Sequence, residues 1–250
     1  MILLTPAQTA MLVDWFGEER AGPLVAQHVA LTGNGACFVD RWPDPQAAIA
    51  FASDNLVLAG EPTALTPEDL RASLAGFVDA PPAFAPLLRT TFPDLVAWDR
   101  VIYDLEGPPH YVPPAGFMVR RLSPDDAYQL WALSRESAWV TKTWGGPPGL
   151  AASGMAWGAF AGDRLASVAC AFFVARGYEE IGVVTEPAYR GLGLSAACAG
   201  ALCGDIIARG RRPSWTTSPS NVASKRVAEK LGFAFRRRDV LYVIGVPVPA

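Results

Sequence analysis

The chain of 250 residues is poor in the residue types that hold metals or form disulfide frameworks. It has two histidines, and none of its four cysteines belongs to a C-x-x-C pair. Cys198 and Cys203 lie within one helical pattern, where small buried apolar residues are common. The sequence therefore predicts neither a zinc site nor a bound metal of another kind.

Excess positive charge and long apolar runs are also missing. The net charge of −3 and the pI near 5.4 argue against a general nucleic-acid binder. The composition is 51% hydrophobic with a mean hydropathy of +0.20, but it contains no uncharged apolar run of about 18 residues, as a membrane span requires. The apolar start lacks a basic segment and is interrupted by Asp14. We expect a cytoplasmic protein with no nucleic-acid or membrane partner.

A proline- and glycine-rich stretch at 107–116 cannot form a helix or a sheet ladder and predicts a linker. It would divide the chain into an N-terminal α/β domain at 1–106, of unknown role, and a second domain at 117–250. The first part shows alternating helical and strand-like patterns at Ala7–Trp15, Ala36–Arg41, Asn55–Leu58, Pro67–Phe77 and Val101–Leu105.

The second part shows a regular alternation of patterns. Strands are expected at 117–122, 155–161, 164–174, 178–185, 214–217 and within 233–246. Helices are expected from Ser123 toward Ser137, over 194–208 and over 221–230. Ser123 is a fitting N-cap because a proline and two acids follow it.

The most informative segment is 183–195, where an apolar strand runs into Pro187, Arg190, Gly191 and Gly193 before a helix begins. Such a turn leaves backbone N–H groups pointing outward at the positive end of the helix dipole, which favours a phosphate group. The glycines allow the main chain to approach the anion closely.

Three kinds of phosphate site have a glycine turn of this type. A P-loop requires lysine and serine or threonine where Leu194 and Ser195 stand. The dinucleotide pattern G-x-G-x-x-G/A is matched by Gly191, Gly193 and Ala196, but the next strand, at 214–217, ends without the acid that binds a ribose. The pattern R-x-x-G-x-[GA], which binds the pyrophosphate of coenzyme A, is filled by Arg190 and Gly193 with the small Ser195 at its last position.

A second block, Asn221-Val222-Ala223-Ser224-Lys225-Arg226-Val227-Ala228-Glu229-Lys230-Leu231-Gly232-Phe233, follows in the same half. Together the two blocks resemble the GNAT superfamily of acyl-CoA-dependent N-acetyltransferases over about 115–246. Trp215 ahead of Asn221, and the R-G-x-G-L turn, are most similar to the branch that includes the zwittermicin A resistance acetyltransferases. The resemblance implies an α/β (α+β) fold with a mixed, mostly antiparallel sheet flanked by helices, preceded by a smaller α/β domain.

The turn and the resemblance together imply acetyl-CoA as the co-substrate. The implied cofactor contacts are Val183, Val184, Thr185, Arg190, Gly191, Leu192, Gly193, Leu194, Ser195, Asn221 and Ser224. In the resemblance, the end of the strand at 183–185 separates from its neighbour and pairs with the pantetheine arm. The backbone N–H of Val184 would then polarise the thioester carbonyl.

The resemblance implies a general base at Glu179 or Glu180, at the start of the same strand, and Glu179 stands six residues before Thr185, where histone-type members of the superfamily carry that base. The side chains of the two glutamates face opposite sides of that strand, so one of them can face the cleft. Many relatives have a tyrosine as general acid where this chain has Ala228. Water, Ser224 or Tyr242 could take that role.

The irregular segment from Trp139 to Trp144 either lines the acceptor site or packs into the core. We expect an N-acetyltransferase that acts on the primary amine of a small molecule by direct transfer in a ternary complex. Alternatives are a CoA-binding regulatory or interaction module without turnover, motivated by Ala228, and a nucleotide-dependent oxidoreductase. The oligomeric state stays open, a homodimer included.

Overall fold

The computed structural model describes residues 1–249, which form two compact units. The first unit contains Met1–Glu18, Pro23–Arg100 and residues 238–249. The second contains Glu19–Gly22 and Val101–Arg237. These limits differ from the expected linker at 107–116, whose backbone is irregular but not detached from the second unit. The His110 N–H donates to the Leu231 carbonyl at 3.3 Å, and the ring of Tyr111 lies directly over Gly200.

The first unit is a mixed α/β structure. Its elements are β1 Ile2–Leu3, α1 Pro6–Met11, α2 Val25–Thr32, β2 Ala36–Val39, β3 Ala47–Ala52, β4 Asn55–Gly60, α3 Pro67–Ser73, β5 Gly76–Asp79 and α4 Ala85–Thr91. Its strands lie in the order β1-β2-β3-β4-β5, and the C-terminal half of β12 (Ala234–Ile244) pairs antiparallel with β5. Capping boxes at Thr5 and Thr66, each followed by a proline, start α1 and α3.

The second unit carries the predicted turn. Its elements are the end of β6 (Val96–Asp104), β7 Met118–Arg121, α5 Ala127–Trp131, α6 Pro147–Ala152, β8 Ala156–Ala161, β9 Arg164–Val174, β10 Tyr178–Thr185, α7 Leu194–Ala208, β11 Arg212–Thr217, α8 Val222–Leu231 and the start of β12. Short 3-10 segments lie at Pro124–Asp126, Ala138–Trp144 and Pro187–Tyr189. The strand order is β6-β11-β10-β9-β8-β7, antiparallel except for the β10–β11 pair. The expected mixed, mostly antiparallel sheet flanked by helices is confirmed.

Helices cover both faces of this sheet. On one face α7 and α8 bury an apolar cluster that includes Ile181, Leu202, Trp215 and Leu231. On the other face α5, α6 and the segment 138–144 bury a second cluster around Val168, Cys170 and Val184. Residues of β10 therefore alternate between two different chemical environments.

One predicted helix is shorter than expected. The pattern from Ser123 toward Ser137 forms a 3-10 turn and then α5, which ends at Trp131. Past the end of α5, the N–H and hydroxyl of Ser134 both donate to the carboxylate of Glu186, at 3.2 and 3.0 Å. This contact brings the chain after α5 to the end of β10.

Within residues 1–249, no helix is both long and apolar enough to cross a bilayer. The described part of the chain likewise holds no cluster of three or more residues of the types that bind metals. All four cysteines are reduced and buried.

Candidate active site

Strands β10 and β11 run together only at their starts. Their parallel register covers Tyr178–Glu180 against Arg212–Ser214. Beyond that point β11 stays paired with β6 as far as Thr217, while β10 stays paired with β9 as far as Thr185. A wedge therefore opens between the two strands, and one edge of β10 faces it from Ile181 onward. The expected separation of this strand from its neighbour is present.

The hydrogen bonds that β10 makes to β9 show which of its peptide groups face the wedge instead. The N–H of Glu186 donates to the Ala166 carbonyl at 2.9 Å, and the hydroxyl of Ser167 donates to the Val184 carbonyl at 2.7 Å. In an antiparallel strand, alternate residues direct both peptide groups to the same side. Val184 therefore faces β9, whereas Val183 and Thr185 face the wedge.

This alternation corrects one expectation from the sequence. The backbone N–H of Val184, expected to polarise a thioester carbonyl, points away from the wedge. The N–H groups of Val183 and Thr185 point into it and are placed to serve instead. The carbonyl of Thr185 already accepts a hydrogen bond from Nε of Arg190, at 3.3 Å.

The glycine turn follows immediately. A 3-10 turn at Pro187–Tyr189 leads to Arg190, and Gly191 and Gly193 both have φ of 81°. No protein atom lies within 4 Å of the Cβ position at either glycine. The glycines are therefore required by the left-handed backbone, which costs other residues about 1–2 kcal/mol, and not by crowding within the protein. Because Gly193 caps α7, the first N–H groups of that helix face outward without helical partners.

Three hydroxyl groups form a directed chain beneath the turn. Ser167 gives its proton to the Val184 carbonyl, so the 2.7 Å contact between Ser167 and Thr185 requires Thr185 to donate. The 2.7 Å contact between Thr185 and Ser195 then requires Ser195 to donate. The hydroxyl proton of Ser195 is thereby used internally, and Ser195 can offer an anion only its backbone N–H.

Arg190 is held at the surface of the turn. Its Nη2 lies 2.5 Å from Oε1 of Glu136, and both side chains are more than half exposed. An exposed ion pair of this kind contributes about 0–1 kcal/mol. A pyrophosphate could therefore replace Glu136 as the partner of the guanidinium at low cost.

Glu179 is fully buried and bound on both oxygens. Arg209 contacts its Oε1 and Oε2 at 3.0 and 2.6 Å, and Arg211 contacts Oε1 at 3.0 Å. Such charge-assisted hydrogen bonds occupy the carboxylate. The structure thus contradicts Glu179 as a candidate general base and gives it a role in the packing of β10 against α7.

Glu180 projects from the opposite face of β10. It is 7% exposed and shares its face with Gly182 and Val184. This face is covered by the segment 138–144 and not by α7. Of the two carboxylates that the sequence offered, Glu180 is the one on the side of the sheet that lacks α7.

A β-bulge lies directly opposite Glu180. Glu180 pairs with Phe173 and Ile181 with Ala171, so Phe172 is an extra residue on β9. The Phe172 carbonyl accepts a hydrogen bond from Thr143 Oγ1 at 2.6 Å, and the Ala171 carbonyl accepts one from Trp144 Nε1 at 2.8 Å. Thr143 and Trp144 therefore anchor the segment and belong to the core.

Trp139 has a different environment from Trp144. Its ring packs edge-on against Phe172, with 5.2 Å between centroids, and 37% of the residue stays exposed. Of the two tryptophans in the segment, Trp139 is the one that can meet a ligand. Phe172 and Gly182 were missed by the sequence analysis because neither residue type, nor the bulge, carries a pattern that indicates a site.

On the other side of the wedge, several polar side chains form hydrogen bonds within the protein. Oδ1 of Asn221 caps α8 by accepting from the Ser224 N–H at 3.0 Å, and Oγ of Ser224 accepts from Trp215 Nε1 at 2.9 Å. Ala228 is fully buried in the cluster under α7 and α8. Tyr242 is buried in the apolar core of the first unit, which argues against it as a general acid.

The chain is similar in sequence and in fold to several acetyltransferases. A family model described as GNAT acetyltransferase matches residues 110–242. The chain is 40% identical to an uncharacterized N-acetyltransferase in the mutA 5′ region of Streptomyces virginiae, over 84% of this chain and 90% of that protein. It is 26% identical to the uncharacterized N-acetyltransferase YdfB of Bacillus subtilis, over 53% of this chain and 50% of that one. A GCN5-related N-acetyltransferase-like protein from Streptococcus suis shares the fold, with a TM-score of 0.72, 20% identity and coverage of 96% and 99% of the two chains.

Proposed function

Because the chain belongs to the GNAT acetyltransferase family, we propose that it transfers the acetyl group of acetyl-CoA to the primary amine of a small molecule, by direct transfer in a ternary complex. The observation that carries the proposal is the wedge between β10 and β11. It ends at the turn from Arg190 to Ser195, so a groove lined by peptide groups of Val183 and Thr185 leads to an anion site.

The residues of the wedge fit an extended amide-containing arm with a pyrophosphate at its end. The N–H groups of Val183 and Thr185 and the carbonyl of Val183 would pair with the arm as a neighbouring strand does. The N–H groups of Gly191, Leu192, Gly193, Leu194 and Ser195, with the guanidinium of Arg190, would hold the pyrophosphate. Asn221 and Ser224, at the start of α8, would close the opposite side.

When bound there, acetyl-CoA supplies the acetyl group as a reactive thioester. The N–H of Thr185 or Val183 would donate to the thioester oxygen and stabilise the negative charge that develops on it. Glu180 would accept a proton as the amine forms its new bond to the acetyl carbon. A thiolate is a good leaving group, so the thiol of coenzyme A could depart as the C–S bond breaks and take its proton from solvent, without a proton donor at Ala228.

We further infer that the chain is cytoplasmic and belongs to the branch that includes the zwittermicin A resistance acetyltransferases. The features that support the branch are Trp215 ahead of Asn221 and the R-G-x-G-L turn. The presence of another compact unit before the transferase fold in the sequence also supports the assignment to this branch.

One specific observation favours a second function. Ala228 is fully buried and provides no proton donor, as expected of a CoA-binding module without turnover. Thermal shift with acetyl-CoA, CoA and NAD(P), followed by thiol release against a panel of amines, separates the possibilities. Stabilisation by acetyl-CoA with amine-dependent thiol release supports transfer. Stabilisation without thiol release supports the module, and stabilisation by NAD(P) alone contradicts both.

A further inference from the structure

The face of β10 beyond Glu180 is covered by aromatic rings. Gly182 has no side chain, and a Cβ at that position would lie 3.2 Å from Cβ of Phe172 and 3.3 Å from Cζ3 of Trp139. The two aromatic residues therefore occupy the space that a side chain at position 182 would fill. They form an apolar surface directly against the strand that bears Glu180.

This surface is rigidly held. Phe172 packs on Trp139 at 5.2 Å and on Phe173 at 4.8 Å between centroids. The segment that carries Trp139 is fixed by the hydrogen bonds from Thr143 and Trp144 to the bulge. A further contact runs from Sγ of Cys170 to the Val140 carbonyl at 3.4 Å. Trp139 is thus placed in advance, with part of its indole open to solvent.

Glu180 and Gly182 lie on the same face, and two residues of a strand span about 6.6 Å. A carboxylate and an aromatic surface are therefore neighbours at the start of the wedge. The carboxylate fits an ammonium or amine group. The rings fit a flat or apolar carbon skeleton attached to it.

Three hydrogen-bonding side chains of the same segment, those of Thr141, Thr143 and Trp144, are turned inward, whereas Lys142 is exposed. Oγ1 of Thr141 donates to the Ala138 carbonyl at 3.1 Å, and the donors of Thr143 and Trp144 are used at the bulge. Thr141 and Thr143 are also buried. Phe172 offers no hydrogen-bonding group and Trp139 offers only its indole N–H, so most hydroxyl groups of a polyhydroxylated acceptor such as an amino sugar would find no partner on these rings, which is costly.

We infer that the acceptor is an arylalkyl amine and that Trp139 and Phe172 determine this specificity, with Gly182 leaving room for their rings. The inference rests on the transfer reaction proposed above. It narrows the acceptor from small primary amines in general to those whose amine is borne on an aromatic group.

Two experiments with the full chain test the inference. The first compares kcat/KM for 2-phenylethylamine and glucosamine; we expect a preference of at least about tenfold for 2-phenylethylamine, from ring–ring contact and burial. The second compares Trp139→Ala and Trp139→Phe with the wild type. Trp139→Ala should raise KM for 2-phenylethylamine about tenfold with an unchanged acetyl-CoA affinity, and Trp139→Phe should recover most of the loss. Trp131→Ala is the control, because Trp131 is a tryptophan on the exposed side of α5.

A preference for glucosamine, or a loss in Trp139→Ala that is equal for both amines, would overturn the inference while leaving transfer intact. If no amine releases thiol, the proposed transfer fails. The inference is then decided by calorimetric binding of 2-phenylethylamine to the CoA-saturated protein. Binding that weakens in Trp139→Ala supports it, and binding that is absent or unchanged contradicts it.

Discussion

Glu179 and Glu180 are neighbours in sequence but lie on opposite faces of β10. Glu179 is fully buried and bound by Arg209 and Arg211. Glu180 faces the side covered by Trp139 and Phe172. The two adjacent glutamates thus have different roles: Glu179 holds the strand to α7, and Glu180, as proposed, acts in catalysis.

Glu180→Gln should lower kcat/KM for the amine by about 10²–10⁴, the usual effect of removing a general base. The amide keeps the size of the side chain, so acetyl-CoA affinity should be unchanged. Thiol-release kinetics across pH and calorimetric titration of acetyl-CoA measure the two effects. Full activity in Glu180→Gln at every pH would rule out Glu180 as the base.

Glu179→Gln should instead reduce stability. Replacing the buried carboxylate leaves the guanidinium groups of Arg209 and Arg211 without their charged partner, and breaking a buried pair costs about 3–5 kcal/mol. Urea unfolding measures the change. The matched control is Glu68→Gln, where the ion pair with Arg71 is at the surface and Glu68 is 79% exposed; its effect should stay within about 1 kcal/mol. Equal effects of the two substitutions would contradict the structural role of Glu179.

Gly193→Val should abolish stabilisation by CoA. A valine at φ of 81° is strained, and its branched side chain would stand where the main chain approaches the anion. The control is Gly204→Ala in the same helix, where nothing lies within 4 Å of the added Cβ. Alanine there should be neutral or stabilise the helix by up to about 1 kcal/mol. An unchanged thermal shift with CoA in Gly193→Val would show that the turn is not the site.

Because of Asp126, the free energy of unfolding should fall as the pH is lowered through the acidic range. Arg120 binds its two oxygens at 2.7 and 2.6 Å, which holds the pKa of Asp126 below its ordinary value, with help from Ser123. A depressed folded-state pKa contributes stability above the unfolded-state value of about 4, and that contribution is lost as the pH falls through the folded-state pKa.

Asp126→Asn should therefore cost about 2 kcal/mol at pH 7 and progressively less below pH 4. Urea unfolding at several pH values checks the trend. The exposed Asp163→Asn, in the β8–β9 turn, is the control and should change stability by less than about 0.5 kcal/mol. A cost of Asp126→Asn that does not shrink with acid would contradict this account.

The second unit could be predicted from sequence largely because its signals are local. Gly191 and Gly193 end a strand and open a helix, and the predicted span 194–208 agrees with α7. The bulge at Phe172 could not be predicted, since the side chains that bind its carbonyl groups, those of Thr143 and Trp144, come from a segment that is distant in sequence. For the same reason, the sequence could not decide which glutamate faces the rings.

The limits of the two compact units differ from the predicted domain boundary for a related reason. Proline and glycine at 107–116 exclude regular structure but say nothing about contacts, and Tyr111 fills the space above Gly200. In the first unit α2 gave no clear signal, because most of its residues are buried and it lacks a polar face.

The hydroxyl chain through Ser167, Thr185 and Ser195 makes the character of the anion site depend on a residue in the core. Ser167 is fully buried, yet the direction of its single O–H decides that Ser195 presents lone pairs outward. Replacing Ser167 with a residue that has no hydroxyl would leave Thr185 able to donate to Ser195. The hydroxyl of Ser195 could then donate to an additional oxygen of the anion, without a change in any residue of the glycine motif.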